Sequence, residues 1–339
     1  MRFGRRLLIT LAALALVVGL ALSGIYADYR RFLDTPLSVP AEGLVLEVQP
    51  GMGVAAIDRD LRRQTSPSRS APYLQIHARL NGLAHRLQVG EYAITAGMTP
   101  RELLERIVAG RVIQYPLTVV EGWTFAQLRQ ALAAHPKIVQ TLRETDDAEI
   151  MARLGRPGVH PEGWFFPETY HFPAGTTDES FLRRALAAME RRLDEIWTRR
   201  ALDIPLDDPY EALILASIIE KETGVAAERS EVAGVFARRL RKGMLLQTDP
   251  TVIYGLGERF DGVLRRSDLT TDTPYNTYTR RGLPPTPIAL PGAASLTAAV
   301  DPAPGDTLYF VADGDGGHVF SRTLEEHNRA VRRYRQRTR

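Results

Sequence analysis

Two carboxylates near the end of an apolar segment, Glu220 and Glu222 on either side of Lys221, are the residues in this sequence best placed to do chemistry. Asp208, Pro209 and Glu211 stand in the order of an N-cap, a first helical residue and a capping-box acid, so a helix is expected over Pro209–Thr223, with Gly224 as its stop. Ala212 to Ile219 is apolar except for Ser217, which makes that helix buried on nearly every face. Acids in its last turn then meet the negative end of the helix macrodipole, and burial also disfavours their charged form. Both effects push a carboxyl pKa upward, as a general acid working near neutral pH requires. Two solvated acids at a helix end, paired with Lys221 or an arginine, would give the same pattern. Between the two, Glu220 is preferred because it stacks on Ala216 and Ser217, small residues that leave room for a ligand. Glu222 stacks on Ile218 and Ile219, which fill that space; on the residues alone it stays an alternative.

Two polar and aromatic clusters follow. The first runs from Leu246 through Gln247, Thr248, Asp249 and Tyr254 to Gly255; the second holds Tyr275, Asn276, Thr277 and Tyr278, then Gly282 to Pro285 and Pro291-Gly292. Amides, hydroxyls and flat rings suit a sugar-binding cleft, since sugars offer hydroxyls at their edges and C–H faces for stacking. Any one of these residues also has an ordinary structural use, and Asp249 before a proline is a common turn starter. Other chemistries find no support. The chain has no cysteine, which excludes disulfides and thiol catalysis. Its seven histidines show no H-E-x-x-H or similar spacing, so no metal and no cofactor is expected. There is no G-x-S-x-G elbow and no phosphate-binding P-loop. His318, on a late strand, reads as packing or solvent-exposed. A net charge of +3, with Lys and Arg interspersed among nearly as many acids, argues against nucleic acid as a partner.

The elements that must position these residues make an α+β protein. At 339 residues, 44% hydrophobic and 24% charged, the chain is expected to fold as more than one globular domain. Leu7 to Tyr26 is an apolar run long enough to cross roughly 30 Å of hydrocarbon as a helix. Arg2, Arg5 and Arg6 precede it and Asp28 follows, so residues 1–6 are expected to be cytoplasmic, 7–27 a single-pass transmembrane helix and the remainder extracytoplasmic. A cleaved signal peptide ending at Ala21-Leu22-Ser23 is the competing reading. Residues 28–43 read as a linker. A strand, a glycine turn and a helical run then recur three times, around Gly51, Gly97 and Gly122. The first two repeats make residues 44–113 a small α+β module that resembles a LysM-like glycan-binding fold, with a spacer without a binding role as the alternative. Residues 114–339 read as a larger α+β domain with a mostly helical core. Helices are expected over Ala126–Ala134, Ser180–Arg199 and Ser230–Lys242, mostly loop over Gln247–Pro304, and a hairpin from Thr307–Ala312 to His318–Ser321.

Taken together, Glu162-Gly163-Trp164-Phe165-Phe166-Pro167-Glu168-Thr169-Tyr170, Ala216 to Thr223, Leu246 to Gly255, Tyr275 to Tyr278 with Gly282 to Pro285, and Tyr309 to Gly314 resemble the YceG-like family over nearly the whole chain. The resemblance implies an endolytic lytic transglycosylase of the bacterial inner membrane. Its substrate would be the glycan strands of nascent peptidoglycan, and penicillin-binding proteins and glycan polymerases would be possible partners. It implies that a single acid, carried over to Glu220, protonates the oxygen between N-acetylmuramic acid (MurNAc) and N-acetylglucosamine (GlcNAc), then draws the proton from the muramoyl 6-hydroxyl as a 1,6-anhydro ring closes. Gln247, Thr248, Asp249, Tyr254, Asn276, Thr277 and Tyr278 would position the substrate. A non-catalytic wall-binding scaffold, or a hydrolytic glycosidase using Glu220 with Glu222 or Glu228, are the alternatives. One departure stands out: Thr286 follows Gly-Leu-Pro-Pro where the family usually has Gly, and a positive φ there would strain it.

Overall fold

A computed structural model describes residues 2–65 and 72–337. Met1, the side chains of Arg2 and Phe3, residues 66–71 within the expected small module, and the last two residues lie outside the described residues. The fold is α+β, with many helices and short two-stranded sheets. The chain divides into two compact units, residues 1–115 with 171–175, and residues 116–170 with 176–339.

The first unit opens with helix α1, Arg2–Asp34, whose apolar side chains from Leu7 to Tyr26 are exposed and which is long and apolar enough to cross a membrane. It runs on through residues 28–34, where a linker is expected, because specific contacts hold that last stretch. Leu33 is fully buried, Tyr29 Oη lies 2.7 Å from His77 Nδ1, Tyr73 donates to Asp28 at 3.0 Å, and Arg101 pairs with Asp34 at 3.0 Å. Hydropathy cannot register such partners, which come from distant positions in the chain. Strand β1 (Leu44–Val48), helices α2 (Val54–Gln64) and α3 (Tyr73–Leu80), strand β2 (Gly90–Ile94) and helix α4 (Pro100–Val108) follow. The strands pair antiparallel, from Leu44 opposite Ile94 to Val48 opposite Gly90, and put Leu46, Val48, Tyr92 and Ile94 into a core with Ile57, Leu61 and Leu103. All three repeated turns form as their glycines suggest: Gly51, Gly97 and Gly122 have φ of 82°, 86° and 76°, the left-handed region open to glycine. Thr99 and Thr124 close capping boxes with Glu102 and Gln127.

Next come β3 (Tyr115–Thr118), α5 (Phe125–Ala134), β4 (Ile138–Val139), α6 (Asp147–Arg153), β5 (Thr169–Phe172), β6 (Thr176–Thr177), α7 (Asp178–Thr198), α8 (Pro209–Glu222) and α9 (Arg229–Arg241). Helices α10 (Asp249–Leu256), α11 (Arg266–Thr270) and α12 (Ala293–Val300), the hairpin β7 (Tyr309–Ala312) and β8 (His318–Ser321), and α13 (Leu324–Arg337) complete the chain. The stretch Gln247–Pro304 is mostly loop, as expected, but three short helices interrupt it. Asp249-Pro250 opens α10 with proline in its first turn, and the small apolar residues Ala293 to Val300 make α12, which packs against α8 and α9. Loop signals on both sides of α12 hide an eight-residue helix whose only cue is apolar composition.

Helix α8 lies among α7, α9 and α12, and Leu213, Ile214, Leu215, Ile218 and Ile219 are each at most 4% exposed. Burying such side chains stabilises a fold by about 1.5–3 kcal/mol apiece, so this helix fixes whatever its end carries. Thr286 is not strained, since Gln247 is the one non-glycine residue with positive φ among the described residues. Its hydroxyl lies 2.9 Å from Tyr275 Oη and 2.8 Å from the Pro287 carbonyl, partners a glycine would lack.

Candidate active site

The last turn of α8 presents its two acids to different surroundings. Glu220 is not in open water: its side chain is 7% exposed, Oε2 accepts from the Gly292 amide at 3.0 Å, and Arg229 Nη2 lies 3.8 Å from Oε1. The space expected above Ser217 is filled by the chain itself, because Ser217 Oγ accepts from the Ile288 amide at 3.0 Å and donates to the Ile214 carbonyl at 2.7 Å. Leu290 is tied to Trp123 and Gly122 by backbone bonds of 2.7 and 2.8 Å, which holds residues 288–292 against the end of α8. Glu220 therefore faces a structural segment, and it is not among the residues lining the adjacent polar cleft.

Glu222 is. The cleft has a volume of about 530 Å³ and brings together Glu222, Gln247, Asp249, Tyr278, Arg239 and His318, with Tyr309, His327 and Asn328 further along its wall. Burial pushes the Glu222 carboxyl up to about 7, with Asp249 adding to the rise; a hydrogen bond from Thr248 Oγ1, His318 and Arg239 oppose it. The Glu222 carboxyl thus combines a raised pKa with access to a cavity.

Of the other expected site residues, Gln247, Asp249 and Tyr278 line the cleft, and Tyr278 donates to Asp249 Oδ1 at 2.5 Å. Thr248 and Thr277 stand behind them, 1% and 2% exposed: the Thr248 amide donates to Thr277 Oγ1 at 3.1 Å, and the Gln247 amide to the Thr277 carbonyl at 3.1 Å. Asn276 is fully buried, its Nδ2 donating to the carbonyls of Asp268, Leu269 and Thr271 and its Oδ1 accepting from the Tyr278 amide at 2.9 Å. It shapes the loop that carries Tyr278. Tyr254 donates instead to Glu162 Oε2 at 3.1 Å. Sequence reasoning did not single out Arg239, Glu162 or the pairing of His318 with Glu228. Glu162 sits within the recognised Glu-Gly-Trp motif, whereas the others are joined only by contacts across long stretches of chain.

Glu162 is 3% exposed and accepts from the Phe125 amide at 2.9 Å; burial pushes its carboxyl up to about 7 despite that bond and the one from Tyr254. A carboxyl raised in the folded state contributes stability that is complete below its unfolded value and is lost as pH rises through the folded one. Glu162 should thus cost the fold on the order of 3 kcal/mol between about pH 4.5 and 7, with little further change above. Urea unfolding from pH 4 to 8 should show this decline together with the similar one from Glu222, and Glu162→Gln should make the total clearly shallower. An equally steep decline in the variant would refute the assignment.

Gln247 has φ 51°, a left-handed conformation that costs an L residue roughly 1–2 kcal/mol. Such strain is kept where a side chain must face a ligand. Gln247→Gly should leave stability equal or raise it by about 0.5 kcal/mol, since relief of strain outweighs glycine's entropy, while turnover falls about tenfold. A urea midpoint and a rate measured on one preparation check both halves.

The fold is shared with known proteins. Residues 46–333 match the YceG-like family, and the chain belongs to it. It is similar to an endolytic murein transglycosylase of Bacillus subtilis (strain 168), 32% identical over 324 residues that cover 90% of this chain and 89% of that protein. A protein of the same name from Streptococcus pneumoniae serotype 2 is 26% identical over 346 residues, covering 91% of this chain but 62% of its own length. Among solved structures, a 2.6 Å crystal structure of a yceG-like protein from Listeria monocytogenes superposes with a TM-score of 0.56 at 30% identity, over 86% of this chain and 99% of that one.

Proposed function

We propose that this protein is an endolytic murein transglycosylase that cleaves the MurNAc–GlcNAc bond of nascent peptidoglycan strands and leaves 1,6-anhydro-MurNAc ends. The observation that carries the reading is Glu222, a carboxyl raised to about 7 on the wall of a cleft that also holds Gln247, Asp249 and Tyr278. At neutral pH such a group keeps a proton to give to the glycosidic oxygen, and its carboxylate is the natural destination of the proton released as the muramoyl 6-hydroxyl closes onto C1. The geometry favours Glu222 over Glu220 for this role, because Glu220 already accepts from Gly292 and faces Arg229 outside the cleft. Gln247, Asp249 and Tyr278 would contact sugar, with Thr248, Thr277 and Asn276 holding them in place and Tyr254 bonded to Glu162.

Helix α1 would anchor the enzyme with its short N-terminus in the cytoplasm and both units outside, where new strands emerge beside glycan polymerases and penicillin-binding proteins. The β1-α2-α3-β2 order supports a LysM-like, glycan-holding role for the first unit. The test is digestion of peptidoglycan with the purified protein, products read by mass spectrometry. Anhydro-muropeptides are expected. Reducing ends in their place would mean a hydrolase, for which Asp249 offers a second carboxylate in the same cleft; binding without any cleavage would mean a scaffold.

A further inference from the structure

The cleft holds a second group with the means to handle a proton. His318, at the start of β8, is held by one carboxylate through two bonds: its amide donates to Glu228 Oε1 at 2.9 Å, and its Nδ1 lies 2.7 Å from Glu228 Oε2. Burial alone would raise the Glu228 carboxyl, yet these bonds hold it below its ordinary value, so it is an acceptor and Nδ1 carries the hydrogen. Thr223, the residue after Glu222, links to the same carboxylate, with Oγ1 3.4 Å from Glu228 Oε2. Phe310 packs edge-on against the imidazole at 5.4 Å, and the hairpin pairs Ala312 with His318. The ring is fixed in position and lines the cleft beside Glu222. With Nδ1 engaged by Glu228, the nitrogen left for a ligand is Nε2, which in the neutral ring is a lone-pair acceptor for a hydroxyl.

We propose that His318, oriented by Glu228, accepts the proton of the muramoyl 6-hydroxyl and passes it to the Glu222 carboxylate. This rests on the transglycosylase reading and assigns its second half. The Glu222 proton goes to the O4 oxygen of the leaving GlcNAc as the C1–O4 bond breaks. The 6-hydroxyl loses its proton to Nε2 as the O6–C1 bond forms, and the imidazolium returns that proton to Glu222. No water enters, nothing is oxidised or reduced, and the cycle ends with both groups as they began. A carboxylate that fixes the tautomer of an imidazole, which in turn meets a hydroxyl, is a recurrent way to activate an oxygen nucleophile. Here Glu228 is a positioning residue, while His318 touches the substrate.

The experiment is product analysis on the full-length protein and its His318→Ala, His318→Gln and Glu228→Gln variants, each checked for a native melting transition. For His318→Ala we expect a rate about 10²-fold lower, the scale of one general base. Its products should include reducing ends, because an activated C1 without a prepared 6-hydroxyl is captured by water. Added imidazole should restore rate and anhydro ends in His318→Ala but not in the bulkier His318→Gln, and Glu228→Gln should shift products the same way by a smaller factor. A folded His318 variant with wild-type rate and only anhydro ends overturns the proposal, as does a rate loss with purely anhydro products and no imidazole rescue. If the wild type itself releases no anhydro ends, it is the transglycosylase reading that fails.

Discussion

Glu222→Gln should lower glycan cleavage about 10³-fold while leaving the protein folded. Loss of a well-placed general acid costs about 10²–10⁴ in rate. The amide keeps the volume of the side chain and can still accept the Thr248 hydroxyl, so the end of α8 stays as it is. Above pH 7 the variant should be more stable than the wild type, because a buried carboxyl raised to about 7 no longer has to ionise inside the fold. Glu220→Gln should behave differently. Its carbonyl can still accept the Gly292 amide, but Arg229 loses its carboxylate, and Arg229 Nε is already a buried donor with no partner. The expected result is a loss of stability of about 1–2 kcal/mol with a rate within about tenfold of wild type. Both variants assayed on one peptidoglycan preparation, with the melting transition followed in parallel, separate the roles. A rate abolished by Glu220→Gln and spared by Glu222→Gln would reverse them.

Why the choice between these acids could not be made in the sequence is a matter of distance along the chain. The helix, its capping residues and its burial are local, and they were legible: Asp208 caps α8 through the Glu211 amide as the capping pattern requires. So were β1, β2 and β8, whose bounds follow from alternation and flanking glycines. The room above Ser217, however, depends on where residues 288–292 run, and nothing near Ser217 announces that Ile288 will bond to it. The same holds for His318, which reads as an ordinary strand residue until Glu228, at a sequence separation of 90, is seen to grip it. The continuation of α1 through Asp34 depends likewise on His77 and Arg101. Gln247, Asp249 and Tyr278 do share a wall, but the division between lining residues and those that hold the loops, such as Asn276, follows from tertiary hydrogen bonds alone.

One wall of the cleft depends on a single guanidinium, and Arg239→Met should destabilise the protein by about 3–5 kcal/mol. Arg239 is 7% exposed; Nε donates to the Leu308 carbonyl at 2.7 Å, Nη1 to those of Leu246 and Leu245 at 2.8 and 3.2 Å, and its plane lies 5.1 Å from the Tyr309 ring centroid. Burial holds its pKa below the ordinary arginine value, with Tyr309, Tyr278 and Glu222 acting against that fall, so desolvation is offset by directed bonds rather than by one paired anion. Methionine of similar length keeps much of the packing but leaves three carbonyls unpaired, each worth about 1–3 kcal/mol if water cannot reach it. Because the cleft admits water to part of this surface, the loss should fall below their sum. A lower urea midpoint with an unchanged slope is the expected signature. Arg239→Lys tests geometry against charge: an ammonium cannot present the planar fork that reaches Leu308 and Leu246 together, so it should recover less than half of the loss. Full recovery would mean that positive charge beside Glu222, not the tie between α9 and β7, is what this residue supplies. Activity then discriminates further, since freeing Leu308 loosens the hairpin that carries His318. Turnover in both variants should therefore fall by more than the fraction unfolded explains.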